Sequence, residues 1–528
     1  MTGDTSGDPA RDTTRADYLV VGSGSSGSVV ARRLLDAGAT VILVEAGPMD
    51  DEPAIHEPHR LFELAASDVD YGYETVPQEH LGGARVAWAR GKVFGGSSSI
   101  NGMIHVRGFH GDYDHWAYLG NRGWAWNDVL PLFKRAEDSD LGPSELHGTG
   151  GPWPVRARYE PSPLHRAFVD AAVAAGIPEN PDYNGEEILG VAPVQFSTTA
   201  DDRRATVARS YLGDRLGHPG LTLLTGTRVR RVVVETDALG ALRCTGLEVD
   251  EWDDVVRTLH ADREVVLSAG AIDSPRILLR SGIGPREHLE EVGVPVVLDS
   301  PGVGENLSDH FMAPLIYSID RPIPADPPGI PKQGSQLFWK SDPGLLAPDL
   351  QPLVFSRTFP VPGHEVPEQG FSIVPGVIRP ASIGRLRLAS ADLDDDPLLD
   401  PAYLSAEADL VALEAAFALC REIAAQSPLA DDVAEGGWGA REIVPGPEVT
   451  GEALREHIRA NLWSYWHPVG TCKMGIDAMA VVDPELRVRG IAGLRVADAS
   501  IMPTVPSGNT SAPCVMIGEK AGELLVGG

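Results

Sequence analysis

Residues 17–45 constrain the fold more than any other stretch of the sequence, because they carry the pattern of a βαβ unit. Residues 17–21 form a short apolar run rich in strand-forming side chains. This run ends in a G-x-G-x-x-G turn at residues 22–27, which opens a predicted helix that extends to about residue 37. Residues 40–44 return as a second buried strand. The unit predicts an α/β fold with a Rossmann-like sheet.

The turn at residues 22–27 has the composition of a dinucleotide-binding site. Gly22 permits the tight turn, Gly24 lets a pyrophosphate approach the backbone, and Gly27 lets the helix lie close on the strand. Glu45, at the end of the second strand, is placed to bind ribose hydroxyls and would repel the 2′-phosphate of NADP. These residues leave FAD and NAD open, together with the alternative of an ordinary glycine-rich turn.

Length and charge define the class of protein. The 528 residues suggest two or three domains, and 44 basic against 75 acidic residues give a net charge of −31, which argues against nucleic acid as a partner. No apolar run approaches the length of a membrane span, and no basic region followed by an apolar core begins the chain. We therefore expect a cytoplasmic protein, with residues 1–15 as a disordered lead-in.

The cysteines indicate neither a disulfide framework nor a metal site. All four are widely separated, and no C-x-x-C pair occurs. We expect reduced structural thiols at Cys244, Cys420, Cys472 and Cys514.

A second stretch of small residues runs from residue 90 to residue 102. It begins with Arg90 and continues with glycines and serines, which let the backbone wrap a flat polar group with N–H groups and hydroxyls free to bond it. A flexible surface loop is the alternative. That alternative would not explain the apolar Met103 and Ile104 that follow.

Residues 221–268 are predicted to be largely β structure. The last strand leads into a tight turn, after which Ser274 and Pro275 are of the types preferred at a helix N-cap and first helical position. A helix over residues 276–280 would therefore point its N-terminus at the carboxyl edge of the sheet, where open α/β sheets bind ligands. The predicted strands are 221–224, 228–235, 243–249 and 264–268.

The character of the sequence changes between residues 311 and 460. Residues 322–352 are too rich in proline for a regular element and suggest an ordered loop or lid over a site. An amphipathic helix is predicted over residues 409–425, and another is predicted to begin at Thr450.

The last part of the chain carries two more candidate functional residues. His467 lies among aromatic residues directly before Pro468, which favours an extended backbone at the histidine. A strand at residues 494–498 ends in Asp498, and a final helix is predicted over residues 514–525. For His467 taken alone, a structural histidine in an aromatic cluster is the alternative.

Several of these segments together resemble the glucose–methanol–choline (GMC) family of FAD-dependent oxidoreductases. The second signature of the family is matched throughout, whereas the first departs from the usual pattern at Phe94 and His105. The resemblance covers roughly residues 15–528. The segments that carry it are 90–105, 270–284, 302–310, 463–471 and 498–500.

The resemblance implies FAD rather than NAD, and it implies two domains. A Rossmann-like FAD-binding domain of the GMC type would be assembled from residues 16–155, 200–310 and 461–528. An α+β substrate domain with an antiparallel sheet would come from residues 156–199 and 311–460.

The family motifs also imply which residues bind the cofactor. Some relatives attach the flavin through a histidine in the glycine-rich segment, but the matching position here is Ile100, so we expect non-covalent FAD. His105 and His310 are interpreted as structural. The implied cofactor-binding residues are Gly22, Gly24, Ser25, Ser26, Gly27, Glu45, Ala46, Arg90, Val93, Gly96, Ser97, Asn101, Gly102, Met103, Ile104, Val229, Ala269, Asp498, Ala499, Asn509 and Thr510.

The implied reaction is oxidation of a small primary alcohol by hydride transfer to flavin N5, with O2 or another acceptor reoxidising the flavin. His467 would be the base for the hydroxyl proton, and Asn509 would donate a hydrogen bond to the forming alkoxide. Phe311 and Met312 stand where choline-oxidising relatives place a carboxylate, so we expect an uncharged substrate.

Other functions are compatible with the same residues. A hydroxynitrile lyase would keep this fold and bind FAD without turning it over. An NAD-dependent dehydrogenase or a non-catalytic dinucleotide-binding protein would share only the βαβ unit. The oligomeric state is left open.

Overall fold

A computed structural model describes residues 14–250 and 255–527 of the chain. The predicted lead-in, residues 1–15, lies mostly outside these ranges. Arg15 already belongs to the first strand, so the predicted end of the lead-in is wrong by one residue.

An eight-stranded sheet, here called the first sheet, has parallel strands at its centre. The strand Arg15–Val21 lies between Val41–Val44 and Val256–Leu267 and runs parallel to both. All of the residues of Val41–Val44 are buried, as expected for a strand covered on both faces. The strands are Arg15–Val21, Val41–Val44, Leu221–Leu224, Arg228–Thr236, Leu242–Asp250, Val256–Leu267, Ile491–Ala492 and Leu494–Val496.

The carboxyl ends of the parallel strands meet at one edge of the first sheet. Val21 is in register with Val44 on one side and with Leu267 on the other. Leu267 is in turn in register with Val496. The segments that follow these four residues are thereby brought side by side, at the edge where α/β sheets bind ligands.

The first and last helices of the chain pack against each other over this sheet. Gly27–Asp36 buries its two valines and two leucines, each of which contributes about 1.5–3 kcal/mol relative to exposure. Ser511–Val526 approaches it closely at Gly518, where a Cβ atom would lie only 2.7 Å from the Cβ of Val29. This packing holds the N-termini of both helices near the same sheet edge.

A six-stranded antiparallel sheet, here called the second sheet, faces the carboxyl edge of the first. Its strands come from residues 190–193 and 315–444, whereas those of the first sheet come from residues 15–44, 221–267 and 491–496. The division into two domains was predicted along the same segments and stays a prediction. The strands of the second sheet are Gly190–Pro193, Leu315–Ser318, Gln333–Phe338, Leu353–Phe355, Gly370–Val374 and Arg441–Val444.

Shorter elements complete the described part of the chain. The small sheets pair Phe311–Met312 with Gly376–Val377 and Trp463–Ser464, Ile283–Gly284 with Leu298–Asp299, Arg385–Arg387 with Leu398–Asp400, Tyr73–Glu74 with Ala87–Trp88, and Glu137–Ser139 with Trp153–Val155. The remaining α-helices are Pro53–His56, His110–Tyr118, Trp126–Ala136, Pro163–Ala174, Val207–Leu212, Gly270–Arg280, Arg286–Glu291, Glu407–Ala424 and Gly451–Ala460. The 3₁₀ helices are Pro58–Glu63, Glu79–Leu81, Gly96–Ser99, Gly213–Arg215, Val433–Glu435 and Ala499–Ile501.

Two of the predicted elements differ from those observed. The helix predicted over residues 276–280 spans Gly270–Arg280, so Ser274 is not its N-cap. The Ser274 hydroxyl instead donates to the Asp498 carboxylate at 2.5 Å. The proline-rich stretch contains the buried strand Gln333–Phe338, because its prolines cluster on either side of that strand. The prediction that residues 322–352 lack regular structure is therefore wrong for this part.

Two predicted absences concern membranes and disulfides. Within residues 14–250 and 255–527, no helix combines the length and apolar character needed to cross a bilayer. The cytoplasmic location stays a prediction. All four cysteines are free thiols.

Candidate active site

A cavity of about 720 Å³ lies between the carboxyl edge of the first sheet and the second sheet. Two of the predicted site residues, Gly27 and Val93, do not line it; they are buried in the packing behind its wall. The predicted residues that do line it are Gly22, Gly24, Ser25, Ser26, Glu45, Ala46, Arg90, Gly96, Ser97, Asn101, Gly102, Met103, Ile104, Val229, Ala269, His467, Asp498, Ala499, Asn509 and Thr510.

One end of the cavity, here called the nucleotide end, is formed by the turn around Gly22 and Gly24. Gly22 has φ +91°, and a Cβ atom on it would lie 2.5 Å from the Ser268 carbonyl oxygen. A Cβ atom on Gly96 would lie 2.9 Å from the Cα of Gly24, so the two glycine-rich segments approach each other closely. Side chains are excluded here, so a pyrophosphate could approach the backbone of the turn closely.

Glu45 supports this turn and closes the nucleotide end. Its Oε2 accepts hydrogen bonds from the Ser23 backbone N–H at 3.0 Å and hydroxyl at 2.7 Å, and its Oε1 accepts from the Gly47 N–H at 2.9 Å. Burial raises the pKa of Glu45, and these donors oppose the rise. The Glu45 carboxylate is therefore held in the cavity wall, where the sequence predicts contact with ribose hydroxyls.

Asp498 joins two segments at the same sheet edge. Its Oδ2 accepts from the Gly270 N–H at 2.9 Å and from the Ser274 hydroxyl, and its Oδ1 accepts from the Ser500 N–H at 2.8 Å. The acid predicted at a strand end thereby holds the helix Gly270–Arg280 against the last segment of the chain.

The glycine-rich segment around Asn101 is held by an arginine that sequence reasoning missed. The buried Arg204 guanidinium donates to the Asn101 carbonyl oxygen at 2.5 Å and side-chain oxygen at 3.0 Å, and to the Ile55 carbonyl oxygen at 2.7 Å. Burial lowers the pKa of Arg204 to about 9. Its position, about 100 residues from Asn101, gives no local signal in the sequence.

The other end of the cavity, here called the catalytic end, is lined by His467 and Asn509, and the fully buried His310 contacts His467 without lining the cavity. The Nε2 atom of His467 lies 3.2 Å from the Asn509 side-chain nitrogen, and its Nδ1 lies 3.0 Å from Nδ1 of His310. The His467 backbone N–H donates to the Asp309 carboxylate at 2.7 Å. Both the backbone and the imidazole of His467 are therefore fixed.

The hydrogen bonds define the tautomer of His467. Asn509 presents N–H groups to Nε2, so Nε2 is the acceptor and Nδ1 carries the proton. Nδ1–H then donates to His310, and the interpretation of His310 as a structural residue stays a prediction. The adjacent Asp309 lies in a segment that matched the family, but the contact between two histidines 157 residues apart could not be read from it.

Burial keeps the imidazoles of His467 and His310 uncharged. Burial, with His310 and Arg90 nearby, holds the pKa of His467 well below 6.5, and burial lowers the pKa of His310 to about 3. Burial also raises the pKa of Asp309 to about 6, although the hydroxyls of Ser464 and Tyr403 donate to it. A neutral His467 is the form that accepts a proton.

Next to His467 the cavity wall is apolar and aromatic. Phe355 and Phe359 meet edge to face with centroids 4.9 Å apart, and Phe359 meets Trp463 at 5.3 Å. Met312 and Leu353 add to this wall. Among the described lining residues, carboxylates occur only at the nucleotide end and along the first sheet: Glu45, Asp250, Asp273, Asp394, Asp396 and Asp498.

His105, which departs from the family pattern, does not line the cavity. Its ring packs on Trp153 with centroids 5.1 Å apart, and its Nε2 lies 3.7 Å from the Glu137 carboxylate. Burial lowers the pKa of His105 to about 3, so it is a neutral core residue.

Known proteins share this fold and sequence along almost the whole chain. Two GMC oxidoreductase family models match residues 16–312 and 380–518. An oxygen-dependent choline dehydrogenase from Brucella ovis is 39% identical over 539 residues, covering 97% of this chain and 96% of the relative. The pyridoxine 4-oxidase of Mesorbium loti has a TM-score of 0.89 at 34% identity, covering 96% of this chain and 98% of that one.

A formate oxidase from Aspergillus oryzae, whose FAD modification has been studied, has a TM-score of 0.86 at 25% identity. The match covers 98% of this chain and 99% of the formate oxidase chain.

The predicted cofactor and fold class are confirmed. The glycine cradle and Glu45 fit the ADP half of FAD, and the space beside His467 and Asn509 fits its flavin half and an alcohol. The chain belongs to the GMC oxidoreductase family and is an FAD-dependent oxidoreductase acting on CH–OH donors.

Proposed function

We propose that this enzyme oxidises an uncharged alcohol to an aldehyde or ketone, with His467 as the base and Asn509 as the hydrogen-bond donor to the substrate oxygen. The observation that carries the proposal is the contact between His467 Nε2 and the Asn509 amide at 3.2 Å, in the cavity wall and beside an apolar pocket. An alcohol hydroxyl entering this contact would place its proton on Nε2 and its oxygen beside the amide N–H.

The steps assigned to the protein concern the hydroxyl proton. His467 Nε2 takes this proton, and the resulting imidazolium keeps its Nδ1–H on His310. Asn509 donates to the oxygen as negative charge develops on it, an interaction that strengthens in the transition state. Bound FAD supplies the two-electron acceptor for the hydrogen that leaves the alcohol carbon.

The lining of the catalytic end supports an uncharged substrate. Met312 occupies the wall where a carboxylate could pair with a cation, and the acids among the described lining residues lie at the nucleotide end and along the first sheet. A buried quaternary ammonium would lack an ion partner there, although the rings of Phe359 and Trp463 offer cation–π contacts.

Choline is the second candidate substrate, because the Brucella ovis relative is named an oxygen-dependent choline dehydrogenase and is 39% identical. A panel of alcohols assayed with oxygen and with an artificial dye acceptor separates the two and also identifies the acceptor. We expect simple aryl or aliphatic alcohols to give a higher kcat/KM than choline. A higher value for choline would overturn the assignment of an uncharged substrate.

Anaerobic mixing with alcohol tests the redox role itself. Substrate alcohol should bleach the yellow band of the bound flavin, because two electrons pass to FAD. A hydroxynitrile lyase of the same fold gives no bleaching. Unchanged absorbance with every alcohol of the panel would therefore contradict the proposed oxidation.

A further inference from the structure

The proline-rich stretch brings two buried glutamines to the catalytic end. Gln336 lies in the strand Gln333–Phe338, and Gln351 lies just before Pro352, which favours an extended backbone at Gln351. Both side chains are 0% exposed. Buried amides that carry no packing advantage over leucine or methionine call for a hydrogen-bonding reason.

The side-chain nitrogen of Gln351 uses both of its hydrogens. It donates to the Gln336 side-chain oxygen at 2.8 Å and to the Asn509 side-chain oxygen at 3.0 Å. The Gln351 main chain is itself fixed, since its N–H donates to the Gly376 carbonyl oxygen at 2.9 Å and its carbonyl accepts from the Tyr465 hydroxyl. A rigid donor is thus aimed at one side of Asn509.

The atom of the Asn509 amide that Gln351 binds determines which amide atom faces His467 Nε2. With Oδ1 accepting from Gln351, the amide presents its two N–H groups to His467 Nε2 and to the substrate oxygen. The opposite orientation would place Oδ1 against Nε2. His467 would then carry its proton on Nε2 and could not accept one from the substrate.

We propose that Gln351 is a positioning residue that fixes the amide orientation of Asn509, and through it the proton-accepting tautomer of His467. Gln336 supports Gln351 from the strand behind it. The proline-rich stretch therefore acts as an inner wall that orders the catalytic pair. This inference rests on the proposed roles of His467 and Asn509.

Two substitutions separate the hydrogen bond from the packing. Gln351→Met keeps an unbranched side chain of similar length without a donor, and we expect flavin reduction about 3- to 10-fold slower, the value of one net hydrogen bond. Gln351→Glu introduces a carboxylate that only accepts, so it should turn the Asn509 N–H groups away from His467 and slow reduction at least as much. FAD content should stay at the parent level in both.

Gln195→Met is the matched control. Gln195 is a buried glutamine bonded to Asn184 at 2.9 Å and to Asp182 at 3.2 Å, away from Asn509. The Gln195→Met substitution makes the same chemical change at a buried position that contacts neither His467 nor Asn509. We expect it to reduce flavin at near the parent rate.

A double-mutant cycle by anaerobic stopped-flow reduction tests the assigned route through Asn509. If Gln351 acts by orienting Asn509, then Gln351→Met should add less than about a 2-fold loss in an Asn509→Ala background. If Gln351→Met slows flavin reduction as much in that background as in the parent enzyme, the inference is overturned. A parent rate of flavin reduction in both Gln351 variants would also overturn it. His467→Ala tests the base without involving Gln351. A failure of the proposed function can therefore be distinguished from a failure of the inference about Gln351.

Discussion

The two ends of the cavity are built in different ways. The nucleotide end comes mainly from residues 22–45, against which Gly96 packs, and it depends on glycine backbone and on the Glu45 carboxylate. The catalytic end depends on side chains from three distant segments, at His310, His467 and Asn509, whose ring and amide atoms meet at 3.0 Å and 3.2 Å.

Substitutions at the two ends should therefore affect different measured quantities. Added side-chain volume at the nucleotide end distorts the turn that would hold the cofactor, so it should reduce FAD content. Loss of a side-chain atom at the catalytic end removes proton transfer or a hydrogen bond, so it should slow the chemistry of an enzyme that still holds FAD.

Removal of the base should have the largest effect. His467→Ala should slow flavin reduction roughly 10²- to 10⁴-fold, the usual contribution of a positioned general base, with FAD content nearly intact. Anaerobic single-turnover reduction measures this rate. Since His105 lies behind Trp153 and outside the cavity lining, His105→Gln is a useful comparison that should not reproduce the loss.

Removal of the hydrogen-bond donor should have the next largest effect. Asn509→Ala should slow flavin reduction on the order of 10- to 10³-fold, by analogy with donors to a developing oxyanion. Asn509→Asp should also be slow, because a carboxylate donates no hydrogen bond to the substrate oxygen. Retention of the parent rate in both variants would remove Asn509 from the mechanism.

A side chain at the nucleotide end should act on affinity for FAD. Gly22→Ala combines φ +91° with a Cβ atom 2.5 Å from the Ser268 carbonyl oxygen, and strain of about 1–3 kcal/mol corresponds to FAD binding weakened roughly 10- to 100-fold. Gly38→Ala is the matched control, since φ is +82° but no heavy atom lies within 4 Å of its Cβ position. Gly38→Ala should keep the parent affinity for FAD, and equal FAD affinity in the two variants would contradict the role assigned to Gly22.

The smallest effect is expected from pH. Burial, with His310 and Arg90 nearby, holds the pKa of His467 well below 6.5, and its neutral form accepts the proton, so activity is lost only as pH falls through that low pKa. Asp309, which holds the His467 backbone, has its pKa raised to about 6. From roughly pH 8 to 6.5 the reduction rate should change less than about twofold. A decline centred at or above pH 6.5 would contradict the low pKa.

Local patterns predicted the nucleotide end well. The glycines, the apolar runs and the terminal acid lie within one βαβ unit, and the observed Arg15–Val21, Gly27–Asp36 and Val41–Val44 agree with the predicted elements to within two residues. Each signal there is local, because the same few residues make the turn and form the wall of the site.

Long-range contacts explain what the sequence could not predict. The hydroxyl of Ser274 looked like a helix cap but bonds Asp498, 224 residues away. The strand Gln333–Phe338 is hidden between prolines, and its burial depends on neighbouring strands. His310 contacts the ring of His467, which lies 157 residues away in the sequence. None of these contacts has a pattern in the adjacent sequence.

The most direct test of the division between the two ends is anaerobic stopped-flow absorbance of the flavin band, because its amplitude reports bound FAD and its rate reports the chemistry. Gly22→Ala should show a small amplitude, whereas FAD-replete His467→Ala should show a full amplitude and a rate roughly 10²- to 10⁴-fold below the parent. A full-amplitude trace of His467→Ala at near the parent rate would contradict the account, since the base would then lie elsewhere.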